Sequence, residues 1–196
     1  TNITSDFIQA SNGNLYITTT QKGNDGFGTI LKLDLLTMTV QKIYDFTSIV
    51  AYTNSSNASI SLVESVSGKL LGLSPKGGLN NFGILFEFEL VTNTFTSKYN
   101  FDGINGENPI CILKASSTKI IGSTSIGGAS DNGVIFEYDF ISDIYSKTHD
   151  FSAISGINPN SKLLKLANGK FYGSTYKGGI NNKGVLFEYN FNTNTY

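Results

Sequence analysis

The stretch FGTILKLDLLTMTV, residues 27–40, returns three more times without a gap, as FGILFEFELVTNTF at 82–95, NGVIFEYDFISDIY at 132–145 and KGVLFEYNFNTNTY at 183–196. Its glycines, Gly28, Gly83, Gly133 and Gly184, lie 55, 50 and 51 residues apart. A period of that size marks one supersecondary unit repeated along the chain, each copy relying on its neighbours to cover its apolar surface. Ahead of each glycine stands a second set of cognates: NGNLYITTTQKGND, SGKLLGLSPKGGLN, TKIIGSTSIGGASD and NGKFYGSTYKGGIN. The longer first interval comes from extra residues after Phe46, TSIVAYTNSSNAS, in one connecting loop. The repeats therefore run at about 1–46, 47–101, 102–151 and 152–196.

Each repeat divides into four runs of strand length bounded by Gly, Asn, Asp, Ser and Pro, with no room for a helix between them. In the third repeat these are ICILKAS, KIIGSTS, GVIFEYDF and YSKTHDF. Along the third run of repeat two, Ile84, Phe86, Phe88 and Leu90 share one face and Leu85, Glu87 and Glu89 the other. Both faces carry apolar bulk, as a sheet sandwiched between two neighbours requires. Gly72, Gly122 and Gly173 recur inside the second run, where a strand glycine signals close approach of another backbone, as near a propeller axis. Pro109 and Pro159 open the first run, where a missing backbone donor costs little. The expected architecture is all-β, a single β-propeller repeat domain over 1–196 built of four-stranded antiparallel blades, the last lacking its outer strand. Because the final repeat stops at Tyr196, the array is expected to be a fragment of a larger propeller.

Composition removes several functions. The chain is 39% hydrophobic and only 15% charged, which leaves its surface to Asn, Ser, Thr and Gly. A net charge of −1 and the absence of Arg argue against nucleic acid as a partner. The longest apolar runs, such as ILFEFEL, are broken by charge within a few residues, so no membrane insertion is expected. Thr1 is not an initiator residue and no leader precedes it, so any export signal is expected to have been removed or to lie outside this stretch. A single cysteine, Cys111, makes no intramolecular disulfide.

In an antiparallel meander the loops after strands two and four open at one end of the sheet, and those after one and three at the other. The first set is long and rich in Gly and Asn, while the second set, such as SNGN, SGK and VTNT, is made of tight turns. Binding residues concentrate on loops held by a rigid scaffold. The long-loop end therefore supplies the ligand-binding candidates Lys22, Asn24, Asp25, Lys76, Asn80, Asn81, Asp131, Asn132, Lys177, Asn181 and Asn182. Turn chemistry alone also accounts for paired Gly and Asn at these positions.

The irregular segment DGINGEN adds Asp102, Asn105 and Glu107, whose oxygens raise the question of Ca²⁺. It lacks the EF-hand spacing, and its cognate SAISGIN drops both the Asp and the Glu, so a plain turn and no cofactor or metal are expected. Glu87, Glu137 and Glu188 occupy one repeated position, with Lys32 in the first repeat. An active site gathers unlike groups once, so a carboxylate in repeat after repeat reads as a local pairing device. His149 aligns with Tyr44 and Tyr99 and reads as a packing residue, and Cys111 as an inert buried thiol. Without Arg the cluster used by sialidase-like propellers cannot form, and one histidine cannot supply a copper oxidase. Glycosidase chemistry needs only two placed carboxylates, but nothing in the chain favours it. The catalytic set is expected to be empty.

Two families share these features. The Gly77-Gly78, Gly127-Gly128 and Gly178-Gly179 pairs, followed by FEFELVTNTF, resemble the kelch repeat, with Phe95, Tyr145 and Tyr196 where kelch units carry Trp. The segment FIQASNGNLYITTTQKGNDGFGTILKLD, Phe7 to Asp34, is closer still to the GloVer tandem repeat of bacterial surface proteins, which it resembles almost residue by residue. That resemblance implies a secreted or cell-surface bacterial protein and brings no catalytic residues with it. The resulting expectation is a non-catalytic module presenting loops to a glycan or a surface protein. A structural spacer is the first alternative and a carbohydrate-active enzyme the last. Since sameness explains most conspicuous residues as scaffold, a specific site is expected where repeats differ, in the insertion after Phe46 or around Asp102 and Glu107.

Overall fold

A computed structural model describes residues 6–19, 23–47 and 61–196. The chain's contacts divide it into two compact units, Thr1–Asn100 and Phe101–Tyr196. In the first unit, β1 (Ile8–Gln9), β2 (Leu15–Thr19), β3 (Thr29–Asp34) and β4 (Thr39–Asp45) form one sheet in chain order. A second sheet follows from β5 (Leu62–Val66), β6 (Lys69–Ser74), β7 (Ile84–Glu89) and β8 (Thr94–Asn100). The second unit repeats the pattern with β9 (Glu107–Lys114), β10 (Lys119–Ile126), β11 (Val134–Asp139) and β12 (Ile144–Asp150). In its other sheet, β13 (Ile157–Pro159) and β14 (Leu164–Lys165) both pair with β15 (Lys170–Lys177), and β16 (Leu186–Asn190) lies on the far side of β15. Beyond β16 a single bridge joins Asn190 to Thr195. All pairings are antiparallel, and the described residues contain no helix.

The tight turn between strands three and four is built the same way in the first and third sheets. Asp34 Oδ1 accepts from the Leu36 and Thr37 amides at 3.0 and 3.2 Å, and Asp139 Oδ1 from Ile141 and Ser142 at 3.0 Å each. These backbone donors hold both carboxyls below the usual aspartate range. Each turn then passes through a left-handed residue, Met38, Asn93, Asp143 or Asn194, a conformation that Asn and Asp tolerate and most side chains avoid.

Aromatic residues join successive sheets. In the first unit, Tyr44 stacks on Phe95 at 5.2 Å between centroids, and Phe46 meets Phe86 edge-on at 5.7 Å. Phe46, Phe86 and Phe88 are fully buried, each contributing roughly 1.5–3 kcal/mol from burial. In the second unit, Phe101 meets Phe136, and His149 lies flat on Tyr196 at 4.2 Å with Phe151 edge-on to both. His149 thus fills the aromatic slot that its alignment with Tyr44 predicts. Its Nε2 is buried without a hydrogen-bond partner among the described residues, and burial pushes the imidazole below its ordinary range despite the neighbouring Asp150. Burial also pushes the Tyr196 phenol up to about 12. Phe95, Tyr145 and Tyr196, at the position where kelch units carry Trp, stack on Phe86, Phe136 and Phe187.

The strand glycines each make room for an aromatic ring of the next strand, and at Gly122 the expected backbone approach is present as well, since a Cβ there would fall 2.6 Å from the Cys111 carbonyl oxygen. Gly72, Gly122 and Gly173 lie directly across from Phe86, Phe136 and Phe187 in the register. A Cβ on Gly72 would fall 2.7 Å from Phe86 Cε2 and 2.8 Å from Leu62 Cδ2. What crowds Gly72 is an aromatic ring of the adjacent strand rather than another backbone. The first sheet solves the same volume problem with Ile17 opposite Leu31.

Candidate functional site

In the second, third and fourth sheets the long loops between strands two and three are hydrogen-bonded frames. Asn81 Oδ1 accepts from the Gly77 amide at 3.0 Å, Asp131 Oδ1 from Gly127 at 2.9 Å and Asn182 Oδ1 from Gly178 at 2.9 Å. The same three residues take positive φ, at 58°, 56° and 51°, a region where Asn and Asp are the enriched non-glycine residues. A backbone bond from Gly83, Gly133 or Gly184 to the first glycine of the frame closes each loop. Strand four anchors it from the side: Leu79 N donates to Asn100 Oδ1 at 3.1 Å, Ala129 N to Asp150 Oδ1 at 2.8 Å and Asn24 N to Asp45 Oδ1 at 3.3 Å. In the second unit, each loop leading into strand one is joined to the following frame, by Gly128 N to Gly103 O at 2.8 Å and Gly179 N to Ala153 O at 2.9 Å.

The candidates therefore separate by task. Asn81, Asp131 and Asn182 turn inward to hold their own loops. Asp102 does likewise, accepting from Asn105 N at 2.7 Å and Asn105 Nδ2 at 2.8 Å, while the Asn105 carbonyl accepts from Tyr145 Oη. Glu107 begins β9 opposite Ile126. Among the described residues no group of three or more His, Cys, Asp or Glu is placed to hold a metal ion. Asn132 lends its carbonyl to Asn158 N. Asn24, Asp25, Asn80, Lys177 and Asn181 are exposed, and Lys76 is half-buried. Lys22 and nearly all of the insertion after Phe46 lie outside the described residues.

The most exposed feature of these loops is one that sequence patterning did not single out. Leu79 is 86% exposed and Ile180 wholly so, on cognate loops, and Ile104 and Ile154 stand out from the loops entering strand one. The signal that marks them is one aliphatic residue at the same place in otherwise Gly- and Asn-rich turns. The repeated glutamates do pair locally, with Lys69 to Glu87 at 2.9 Å, Lys119 to Glu137 at 3.0 Å and Lys170 to Glu188. Cys111 is buried 3.3 Å from Ser123 Oγ, and burial pushes its thiol up, away from the reactive thiolate.

Sheet order, repeated frames and the absence of helices among the described residues define an all-β tandem-repeat protein. The chain belongs to the Gloeobacter/Verrucomicrobia repeat family, whose pattern runs over residues 3–196, so the resemblance carried by Phe7–Asp34 is borne out. No curated protein matches it. Solved structures share the fold at low identity. The GH74 enzyme of Niastella koreensis is 17% identical with a TM-score of 0.67, over 95% of this chain and 28% of that one. The extracellular domain of a hybrid two-component system from B. thetaiotaomicron is 16% identical with a TM-score of 0.61, over 98% and 21%. TolB from Acinetobacter baumannii is 16% identical with a TM-score of 0.59, over 92% and 39%. The chain spans well under half the length of each of these proteins.

Proposed function

We propose that the four sheets are blades of a β-propeller and that the chain is a non-catalytic, extracellular module of a bacterial secreted or surface protein, binding through its long loops. The observation that carries this reading is the pairing of hydrogen-bonded loop frames with bare aliphatic tips, Leu79, Ile104, Ile154 and Ile180. A frame already ordered loses little entropy on binding, and aliphatic side chains held in water gain most against another protein surface. These tips favour a protein partner over a glycan. The extracellular domains among similar folds support the location. Replacing Leu79, Ile104, Ile154 and Ile180 together by Ser tests the reading against surface extracts and a glycan panel. Loss of binding with an unchanged circular-dichroism spectrum is expected. Binding unaffected by the four substitutions, or silence of the parent protein against every probe, would leave the spacer role instead.

A further inference from the structure

The first sheet departs from the other three at one junction, at the tight-turn end away from the long loops. In the second, third and fourth sheets the first residue of strand two is a lysine paired with the strand-three glutamate. The first sheet has Asn14 at the lysine position and Lys32 at the glutamate position, and Lys32 Nζ is 3.7 Å from Asp34 Oδ2 on its own strand. A second departure faces it. The hydroxyls of Tyr138 and Tyr189 are hydrogen-bonded to the side chains of the left-handed turn residues Asp143 and Asn194. In the second sheet that tyrosine is Phe88, so Asn93 has no such hydroxyl and no side-chain partner among the described residues.

The equivalent junction in the second unit is filled. The Asn194 carboxamide lies 3.2 Å from both Glu137 Oε1 and Tyr189 Oη, and Lys119 Nζ sits over the Phe191 ring at 5.8 Å. With Asn14, Lys32, Asn93 and Leu90 in the corresponding places, the first unit instead has a cleft of about 190 Å³. It is lined by Asn12, Tyr16, Lys32, Gln41, Ile43, Leu90 and Asn93, and its surface is almost entirely polar. Asn12 Nδ2 donates to Tyr16 Oη at 2.8 Å, which leaves the phenol proton free to point inward.

We infer that this cleft binds one acidic sugar unit, a uronate. The lining has one cation, three carboxamides, a phenol and no carboxylate, so it offers donors to an anion and both donors and acceptors to hydroxyls. The volume is that of about six waters at ~30 Å³ each, enough for one ring and too small for the roughly 300–1,000 Å³ of a drug-sized ligand. This site stands independently of the long-loop reading, since it shares no residue with it.

The test is a ¹⁵N-labelled titration following the side-chain amides of Asn12, Gln41 and Asn93, with D-glucuronate, D-galacturonate and, as neutral control, D-glucose. Shifts at these amides that saturate at roughly 1–10 mM uronate, with glucose at least tenfold weaker, are expected. The double substitution Asn14→Lys/Lys32→Glu rebuilds the pair that the other three sheets already carry, so the fold is retained, and binding should fall at least tenfold. Absence of shifts at the cleft, equal response to glucose, or full binding by the double variant would overturn the assignment.

Discussion

Gly72→Ala probes the packing logic of the fold most directly. Alanine in a strand normally gains roughly 0.5–1 kcal/mol over glycine through the unfolded chain. Here the new Cβ would lie 2.7 Å from Phe86 Cε2 and 2.8 Å from Leu62 Cδ2. Phe86 cannot swing away freely, because it stacks on Phe95 at 4.9 Å and meets Phe46 edge-on. Overpacking of this kind costs ~1–3 kcal/mol, so the net expectation is a loss of roughly 1–2 kcal/mol. At ~1–3 kcal/mol per molar urea, the unfolding midpoint followed by circular dichroism should drop by about 0.5–1 M. Copying the first sheet's solution, as Gly72→Ile with Phe86→Leu, should make the pair at least ~1 kcal/mol more stable than the sum of its single variants. A neutral or stabilising Gly72→Ala, or additive single variants, would refute the claim that the glycine exists to seat the ring.

Three further outcomes follow from the same geometry. Asn81→Ala removes the acceptor for Gly77 N and leaves a Cβ at positive φ, so urea melts should show a loss of roughly 1–2 kcal/mol, with Asn81→Gly costing visibly less. Lys119→Met should cost about 1–2 kcal/mol, because the Glu137 side chain is only 6% exposed while its lysine is partly solvated; Lys170→Met, whose Glu188 is 42% exposed and keeps its water, should leave the same melt nearly unmoved. His149 binds its proton less readily folded than unfolded, so stability is full above the unfolded imidazole range and declines as pH falls below about 6.5. His149→Tyr, the residue at the cognate positions Tyr44 and Tyr99, should flatten stability between roughly pH 5 and 7 in urea melts at stepped pH.

Much of the scaffold is legible in the sequence. The period, the strand runs, the contrast between long and tight loops, and the aromatic slot of His149 are local or repeated patterns that hold whatever partner a strand meets. Residue roles are less legible. Asn81, Asp131 and Asn182 look like a binding rim in sequence, yet their side chains turn back to donors four residues earlier. The strand glycines read as signs of backbone approach, which holds at Gly122 beside the Cys111 carbonyl, whereas the phenylalanine ring across from each one is set by a pairing between strands that no single segment reveals.

By itself the sequence determined that four copies of one repeat follow one another, three with four strands and the last lacking its outer strand, since periodicity and turn chemistry are written into each copy. Only the tertiary structure decided what differences between copies mean. Lys32 for glutamate, Asn14 for lysine and Phe88 for tyrosine are scattered along more than seventy residues, and each alone is an ordinary substitution. They become one cleft because antiparallel pairing sets Lys32 across from Tyr16 and Gln41, and packing of the second sheet on the first brings Asn93 to the same opening.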